Sequence, residues 1–247
     1  MFKVEFTDPK LLKSSIDAIS NMIDEAGISV DKDGISIRAM DPAHVALVNF
    51  KLGKEAFDKF EIKEPLILGL DLDRLNAILK RAGANDNISM EFAKDKNAIN
   101  IKLKNTSTRT FNQQLIKVSD EELKVPNLDF PSTVELDPNI ISEAIKDADI
   151  ISDHVTIKVD SKFLYILAKG DLGNVEVKVP KDEAVQFKAE DDSQSMFSIE
   201  YLKDIIKASD VANSVKISLG DNLPVKMEFV APNTKLCFLL APRIESD

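Results

Sequence analysis

The chain has 247 residues, 44% hydrophobic and 30% charged, so it can bury the core of one large globular domain or two ordinary ones. Lys and Arg number 32 against 42 Asp and Glu, a net charge of −10. That excludes a protein that coats nucleic acid with a generally basic surface, and any DNA contact requires positive charge segregated on one face. Cys237 is the single cysteine, which excludes an intrachain disulfide and a cysteine-based zinc site, and no apolar run reaches membrane-spanning length. The N-terminus alternates (Phe2, Val4, Phe6) where a signal peptide would carry an apolar block, so a cytosolic protein is expected.

In chain order, Phe2 to Phe6 has the period of a half-buried strand. The spacing from Pro9 to Glu25 predicts a helix started by Asp8 and Pro9. Ile28 and Val30, then Ile35 and Ile37, read as strands joined by the turn Asp31-Lys32-Asp33-Gly34. A second helix is predicted over Asp71 to Ala82, with Leu72, Leu75, Ile78, Leu79 and Ala82 on one stripe. Lys94-Asp95-Lys96-Asn97 leads into the alternation Ile99, Ile101, Leu103. The stretch 119–131 has two prolines, an acidic run and no sustained period, and reads as a linker. A third helix is predicted over Pro138 to Asp149, begun by Asp137 and striped with Ile141, Ala144, Ile145 and Ala148. Strands follow at Val155, Ile157, Val159 and at Val175, Val177, Val179, the first ending in the turn Asp160-Ser161-Lys162. The fourth helix, after Ser198, is predicted over Glu200 to Asp210, and the turn Gly220-Asp221-Asn222 precedes the strand of Val225, Met227 and Phe229.

Aligned on Leu12, Leu75, Ile141 and Leu202, the helices lie 63, 66 and 61 residues apart. One unit, strand–helix–strand–strand plus extra strands, therefore recurs four times. The fold class is α+β: two similar domains of antiparallel sheet with two helices each, 1–118 and 132–247, joined by the linker 119–131.

Enzymatic chemistry has no signature here. Gly170-Asp171-Leu172-Gly173 lies between strands with no helix after it, so neither a P-loop nor a dinucleotide fingerprint fits. His44 and His154 are not at metal-ligand spacing, and nothing resembles a nucleophile elbow. No cofactor is expected. The wet faces of the helices are more informative. Lys80, Lys146 and Lys207 occupy the same position in three repeats, Lys13 and Lys203 share those faces, and Asp17 is the exception in the first helix. A lysine on the polar side of an amphipathic helix is ordinary. Three in register in an acidic chain point to a surface suited to phosphate backbone, since lysine is a flexible point charge.

Met40-Asp41-Pro42-Ala43-His44-Val45-Ala46-Leu47, Gly170-Asp171-Leu172-Gly173-Asn174 and Leu240-Ala241-Pro242-Arg243-Ile244-Glu245 closely resemble the sliding clamps of archaea and eukaryotes, the proliferating cell nuclear antigen family, in its archaeal form. The resemblance spans the whole chain. It implies a homotrimeric ring, without catalysis, whose helices line a hole around duplex DNA held independently of sequence. It further implies clients that dock through short peptides: DNA polymerase, the clamp loader replication factor C, flap endonuclease and DNA ligase, in the nucleoid-associated cytoplasm of an archaeon. On this reading Lys13, Lys80, Lys146, Lys203 and Lys207 face DNA. Subunits join by pairing the strands of Thr108 to Ile116 and Val175 to Val179, with Phe111, Val175 and Val177 in the contact and Arg81 and Arg109 opposite Glu143 and Asp147. The client pocket combines Met40, His44, Val45 and Leu47, then Leu123, Val125 and Pro126, then Leu240, Ala241 and Pro242. The plainer reading, that Met40, Val45 and Leu47 are only core and the linker residues only pin the linker down, ranks below it because three separate segments match the family's pocket. An acidic β-rich scaffold that never meets DNA is the competing expectation.

Overall fold

The computed structural model describes residues 2–6, 9–118 and 123–243. The helix-starting Asp8, the linker residues Ser119 to Glu122, and Ile244 and Glu245 of the C-terminal motif lie outside these residues. The chain forms two compact units, dividing between Leu123 and Lys124 inside the expected linker. Two short segments group differently from the expected division: Asp41–Leu47 clusters with the second unit and Pro232–Lys235 with the first.

The first unit runs β1 (Phe2–Phe6), α1 (Lys10–Ser20), β2 (Glu25–Asp31), β3 (Gly34–Met40), β4 (Ala46–Gly53) and β5 (Lys59–Ile62). It continues with β6 (Leu66–Asp71), α2 (Leu72–Lys80), β7 (Asn87–Ala93), β8 (Ala98–Lys104) and β9 (Thr108–Gln114). Its strands order as β5-β1-β7-β8-β9 and β4-β3-β2-β6. The second unit repeats the plan: β10 (Ser132–Leu136), α3 (Pro138–Asp149), β11 (His154–Val159), β12 (Phe163–Lys169), β13 (Asn174–Pro180), β14 (Gln186–Ala189), β15 (Ser193–Ser198), α4 (Ile199–Ile205), β16 (Ser214–Leu219), β17 (Val225–Ala231) and β18 (Thr234–Leu240). Its strands order as β14-β10-β16-β17-β18 and β13-β12-β11-β15. The fourfold unit read from the helix spacing is therefore a true structural repeat, strand–helix–three strands, with a short extra strand closing the first and third copies.

Local chemistry accounts for these elements. The Asp71 carboxylate accepts from the Arg74 amide at 2.8 Å and caps α2, and Asp137 does the same for the Asn139 amide at 2.8 Å, with Pro138 fixed in the first turn of α3. Asn97 and Asn222 take the left-handed angles their hairpin turns require, φ 46° and 51°. Strand and helix residues such as Val4, Ile16, Ile28, Leu68, Leu75 and Ile99 line one apolar interior in the first unit, so both sheets and both helices share a core. Each such side chain contributes about 1.5–3 kcal/mol by burial.

Two helix ends differ from expectation. α1 stops at Ser20, yet Met22 and Ile23 in the following turn are buried, so the apolar pattern outruns the helix. α4 is regular only to Ile205 and tightens into a 3-10 turn over Ile206–Val211, whose Ile206 continues the same buried stripe. No helix of the described residues is long and apolar enough to cross a membrane.

Candidate functional site

The residues singled out by sequence lie on the polar helix faces, on the open sheet edges, and in or beside the loop between β3 and β4, the linker and the stretch after β18.

On the helices, Lys80, Lys146, Lys203 and Lys207 are exposed, but each ammonium already touches a carboxylate. Lys80 pairs with Asp17 at 2.6 Å, Lys146 with Glu143 at 2.8 Å, Lys203 with Asp149 at 2.8 Å and Lys207 with Asp204 at 2.7 Å. Glu143 and Asp149 hold the Lys146 and Lys203 ammoniums above their ordinary value by hydrogen bonding and charge. Lys13 is half-buried and donates to the Ala82 carbonyl at 2.6 Å, at the C-terminal end of α2 where a cation is favoured. These faces are thus charge-compensated, not bare cationic patches.

Asp17, the exception in the lysine register, is explained by packing. It accepts from the Asn76 amide at 2.8 Å and holds Lys80, while Ser20 also receives a hydrogen bond from Asn76 at 2.8 Å. Asp17 therefore ties α1 to α2, a role with no period in the sequence to announce it. Asp17→Ala is expected to cost about 1–2 kcal/mol, chiefly through the buried Asn76 amide, and to lower the melting temperature by roughly 2–8 °C in thermal denaturation. An unchanged melting temperature would show that the tie carries no stability.

The sheet edges are unequally protected. The edge of β6 is met by the Ile116 amide, which donates to the Gly69 carbonyl at 3.0 Å, and the edge of β15 by the Arg243 amide, which donates to the Met196 carbonyl at 2.7 Å. β5 and β14 are short, four residues each. Among the described residues β9 and β13 remain as seven-residue strands with one side unpaired. Phe111, Val175 and Val177 are half-buried on these strands. The charges expected to pair between subunits are only partly available. Arg109 is committed within its own unit to the Asp86 carboxylate and to the Arg81 carbonyl at 3.0 Å, and Glu143 to Lys146. Arg81 and Asp147 are exposed and have no ion pair among the described residues.

Asp41 organises the loop of the second unit. Its carboxylate accepts from the amides of Ala43 (3.2 Å), Val45 (2.7 Å) and Ala46 (2.6 Å) and from the Tyr201 hydroxyl (2.7 Å). Burial alone would raise its pKa, but these four donors outweigh that and hold it below the ordinary carboxylate value. Burial and the Asp41 hydrogen bond push the Tyr201 phenol up to about 12. Held this way, His44 adopts φ 58° and is exposed, and the Val45 carbonyl receives the Ala241 amide at 2.9 Å. Sequence reading missed both Asp41 as the organiser and Tyr201 as its partner, which lies 160 residues away.

The expected pocket residues divide by burial. Leu47 and Leu240 are 4% and 0% exposed and belong to the core, so neither offers surface in this conformation. Met40, Val45, Leu123, Val125, Ala241 and Pro242 are half-buried, and His44 and Pro126 are exposed. In the first unit the Leu123 carbonyl accepts from Arg38 at 3.1 Å.

Comparison with known proteins gives a consistent answer. Residues 1–130 match the model for the N-terminal domain of proliferating cell nuclear antigen, and residues 124–244 match that for its C-terminal domain. A protein of Methanococcus vannielii named DNA polymerase sliding clamp is 39% identical over 95% of this chain and 96% of its own. One of the same name from Pyrococcus furiosus is 34% identical over 99% of both. The crystal structure of PCNA from Thermococcus kodakaraensis superposes with a TM-score of 0.91 over 98% of this chain and 100% of that one, at 24% identity, a likeness of fold.

Proposed function

This chain belongs to the proliferating cell nuclear antigen family, and from that premise we propose that it works as a DNA sliding clamp: three copies close a ring around duplex DNA and tether DNA polymerase to it. The role is one of tethering, without catalysis. The observation that carries the reading is the pair of unlike open edges, β9 and β13. A head-to-tail ring needs two different surfaces on each subunit, and an unpaired strand is a ready template for another strand. With four α-helices among the described residues of each chain, a trimer sets twelve around its hole. At roughly 10 Å per helix their axes trace a circle about 120 Å in circumference and about 38 Å across, and leave a hole roughly 28 Å wide, enough for a duplex. The scaffold alternative has no support from family membership.

Lys13, Lys80, Lys146, Lys203 and Lys207 are the proposed DNA-facing set. Native mass spectrometry is expected to give three times the chain mass, and the loaded protein is expected to stay on circular DNA and leave linear DNA. A monomer at micromolar concentration, or equal loss from both DNAs, would overturn the reading. Neutralising Lys80, Lys146 and Lys207 together is expected to shorten retention and flatten its salt dependence with the trimer intact. Unchanged retention and salt dependence would remove these lysines from the contact.

For the subunit contact, the uncommitted charges are the ones to test. Arg81→Glu is expected to weaken the trimer severalfold by analytical ultracentrifugation, and Asp147→Lys in the same chain to restore it. Independent effects of the two changes would remove this pair from the interface.

The proposed client surface is the second unit's share of the three stretches: His44 and Val45, Val125 and Pro126, Ala241 and Pro242. The hydrogen bond from Ala241 to Val45 supports it by tying two of the stretches together. Peptides with a glutamine, an aliphatic residue and paired aromatics would dock here, from the clamp loader, flap endonuclease and DNA ligase as well as polymerase, in the nucleoid of an archaeal cell.

A further inference from the structure

The internal repeat provides a control for one face of the second unit. In the first unit Ile28 pairs with Ile37 and Val30 with Ile35, and in the second Ile157 pairs with Ile166 and Val159 with Leu164. By this register, and by the pairs Gly27–Gly69 and Thr156–Met196, the solvent-side positions of Gly27, Gly69, Arg38 and Met40 correspond to those of Thr156, Met196, Leu167 and Lys169. The first copy shows what this face accepts, which is an extended stretch of chain. A Cβ on Gly69 would lie 2.2 Å from the Ile116 carbonyl oxygen, and one on Gly27 would lie 3.3 Å from the Val118 side chain. Farther along the same face, Arg38 holds the Leu123 carbonyl.

In the second copy every one of these features is exchanged. The two glycines that admit a backbone become Thr156 and Met196, the arginine that grips a carbonyl becomes Leu167, and Met40 becomes Lys169. Among the described residues Arg243 meets this sheet edge at Met196 and Asp221 and Asn222 meet it farther along at Gln194, and a groove of about 430 Å³ lies open, with Leu167, Met196, His154 and Lys169 among the residues that line it. The fold does not demand an apolar face here, because the matching strand β3 places Ser36 and Arg38 where β12 has Tyr165 and Leu167. Charge gives the groove a sign. Glu176, its one carboxylate, is neutralised by Lys178 at 2.8 Å, whereas Lys169 is exposed with no ion pair among the described residues.

We propose that the groove over β11, β12, β13 and β15 binds an extended acidic segment of a partner protein, seating an aliphatic side chain on Leu167 and Met196 and a carboxylate beside Lys169. Leu167 and Lys169 are two residues apart on one strand, about 6.8 Å, and an extended partner presents alternate side chains at the same spacing. Such a segment alternates an aliphatic residue with Asp or Glu on its inward side. The groove is a surface separate from the helix faces and the Asp41 loop, and it borders the open edge of β13 at Asn174, Val175 and Glu176.

The test uses the full chain and a fluorescein-labelled, capped peptide, Ser-Leu-Ser-Glu-Ser-Leu-Ser, followed by anisotropy. Saturable binding in the sub-millimolar range is expected. Lys169→Glu and Leu167→Ser are each expected to weaken it at least fivefold, with melting curves unchanged, while Lys162→Glu on the distant hairpin turn leaves it within twofold. A peptide carrying Lys for Glu is expected not to bind. No saturable binding, or equal weakening by Lys162→Glu, overturns the proposal. Binding that appears only after residues 244–247 are deleted overturns it too, because the chain's own acidic end would then be the occupant.

Discussion

A single proline in β13 is expected to turn the trimer into a folded monomer of 27.4 kDa. Successive residues of a strand direct their amides alternately to the paired neighbour and to the open side. Glu176 and Val177 are consecutive in β13, paired to Leu167 and Ile166 of β12. One of the two prolines therefore removes an amide pointing away from the molecule and leaves the internal ladder whole, and its ring blocks the approach of a second strand. That variant should keep the wild-type melting curve of the isolated chain and raise the dissociation constant of the ring at least tenfold. The other proline breaks the β12–β13 ladder and should also lower thermal stability. Native mass spectrometry of both separates the cases. Two prolines that assemble like the parent chain would show that β13 is not part of the ring contact.

Asp41→Ala is expected to destabilise the protein by about 3 kcal/mol, because three backbone amides and a tyrosine hydroxyl lose their common acceptor in a site where Asp41 is 3% exposed. A chain of this size should then melt about 6–12 °C lower. Tyr201→Phe removes one of the four donors and should cost about 1 kcal/mol. The loop also holds His44 at a positive φ, a conformation a non-glycine residue adopts only when its surroundings enforce it. Loss of the carboxylate should release that conformation, and affinity for a client peptide on the proposed surface should fall in proportion. The pH dependence has a definite sign. The native carboxyl is held below its ordinary 3.8, so its contribution is complete above that value and is lost as the pH falls through the lower native one. Unfolding followed between pH 7 and pH 2 should show the acid-side loss reduced in Asp41→Ala. A parallel acid profile in both proteins would mean that other carboxylates dominate.

The strands, the Asp caps of α2 and α3, and the fourfold repeat were legible because each leaves a local period or a capping residue at a fixed place. The end of α1 was not, since Met22 and Ile23 are as apolar as the helix stripe they follow but are buried in a turn. The 3-10 turn after Ile205 escaped for a related reason, because Ile206 serves the core in either geometry. Residue type could not separate Leu47, which is core, from Val45, which is half-buried in the bend just before β4. Which strands stay unpaired is a property of topology, and Thr108–Gln114 carries no mark that distinguishes it from an interior strand. The helix lysines were found by register, but their carboxylate partners lie three residues away on the same helix or on another helix altogether, and a stripe analysis treats both as ordinary solvated charge.

Those carboxylates bear on motion. A bare lysine meeting a phosphate gains a new ion pair, and a row of such gains, spaced like the phosphates, would carve wells along the duplex in which a ring would stall. A lysine that already holds Asp17, Glu143, Asp149 or Asp204 merely exchanges one oxyanion for another. Exposed pairs of this kind contribute little, so the difference between the two partners is small against thermal energy. Under the proposed placement, the landscape for translation along DNA is nearly flat, and the acidic residues act as a lubricant that keeps friction low without loosening the topological hold.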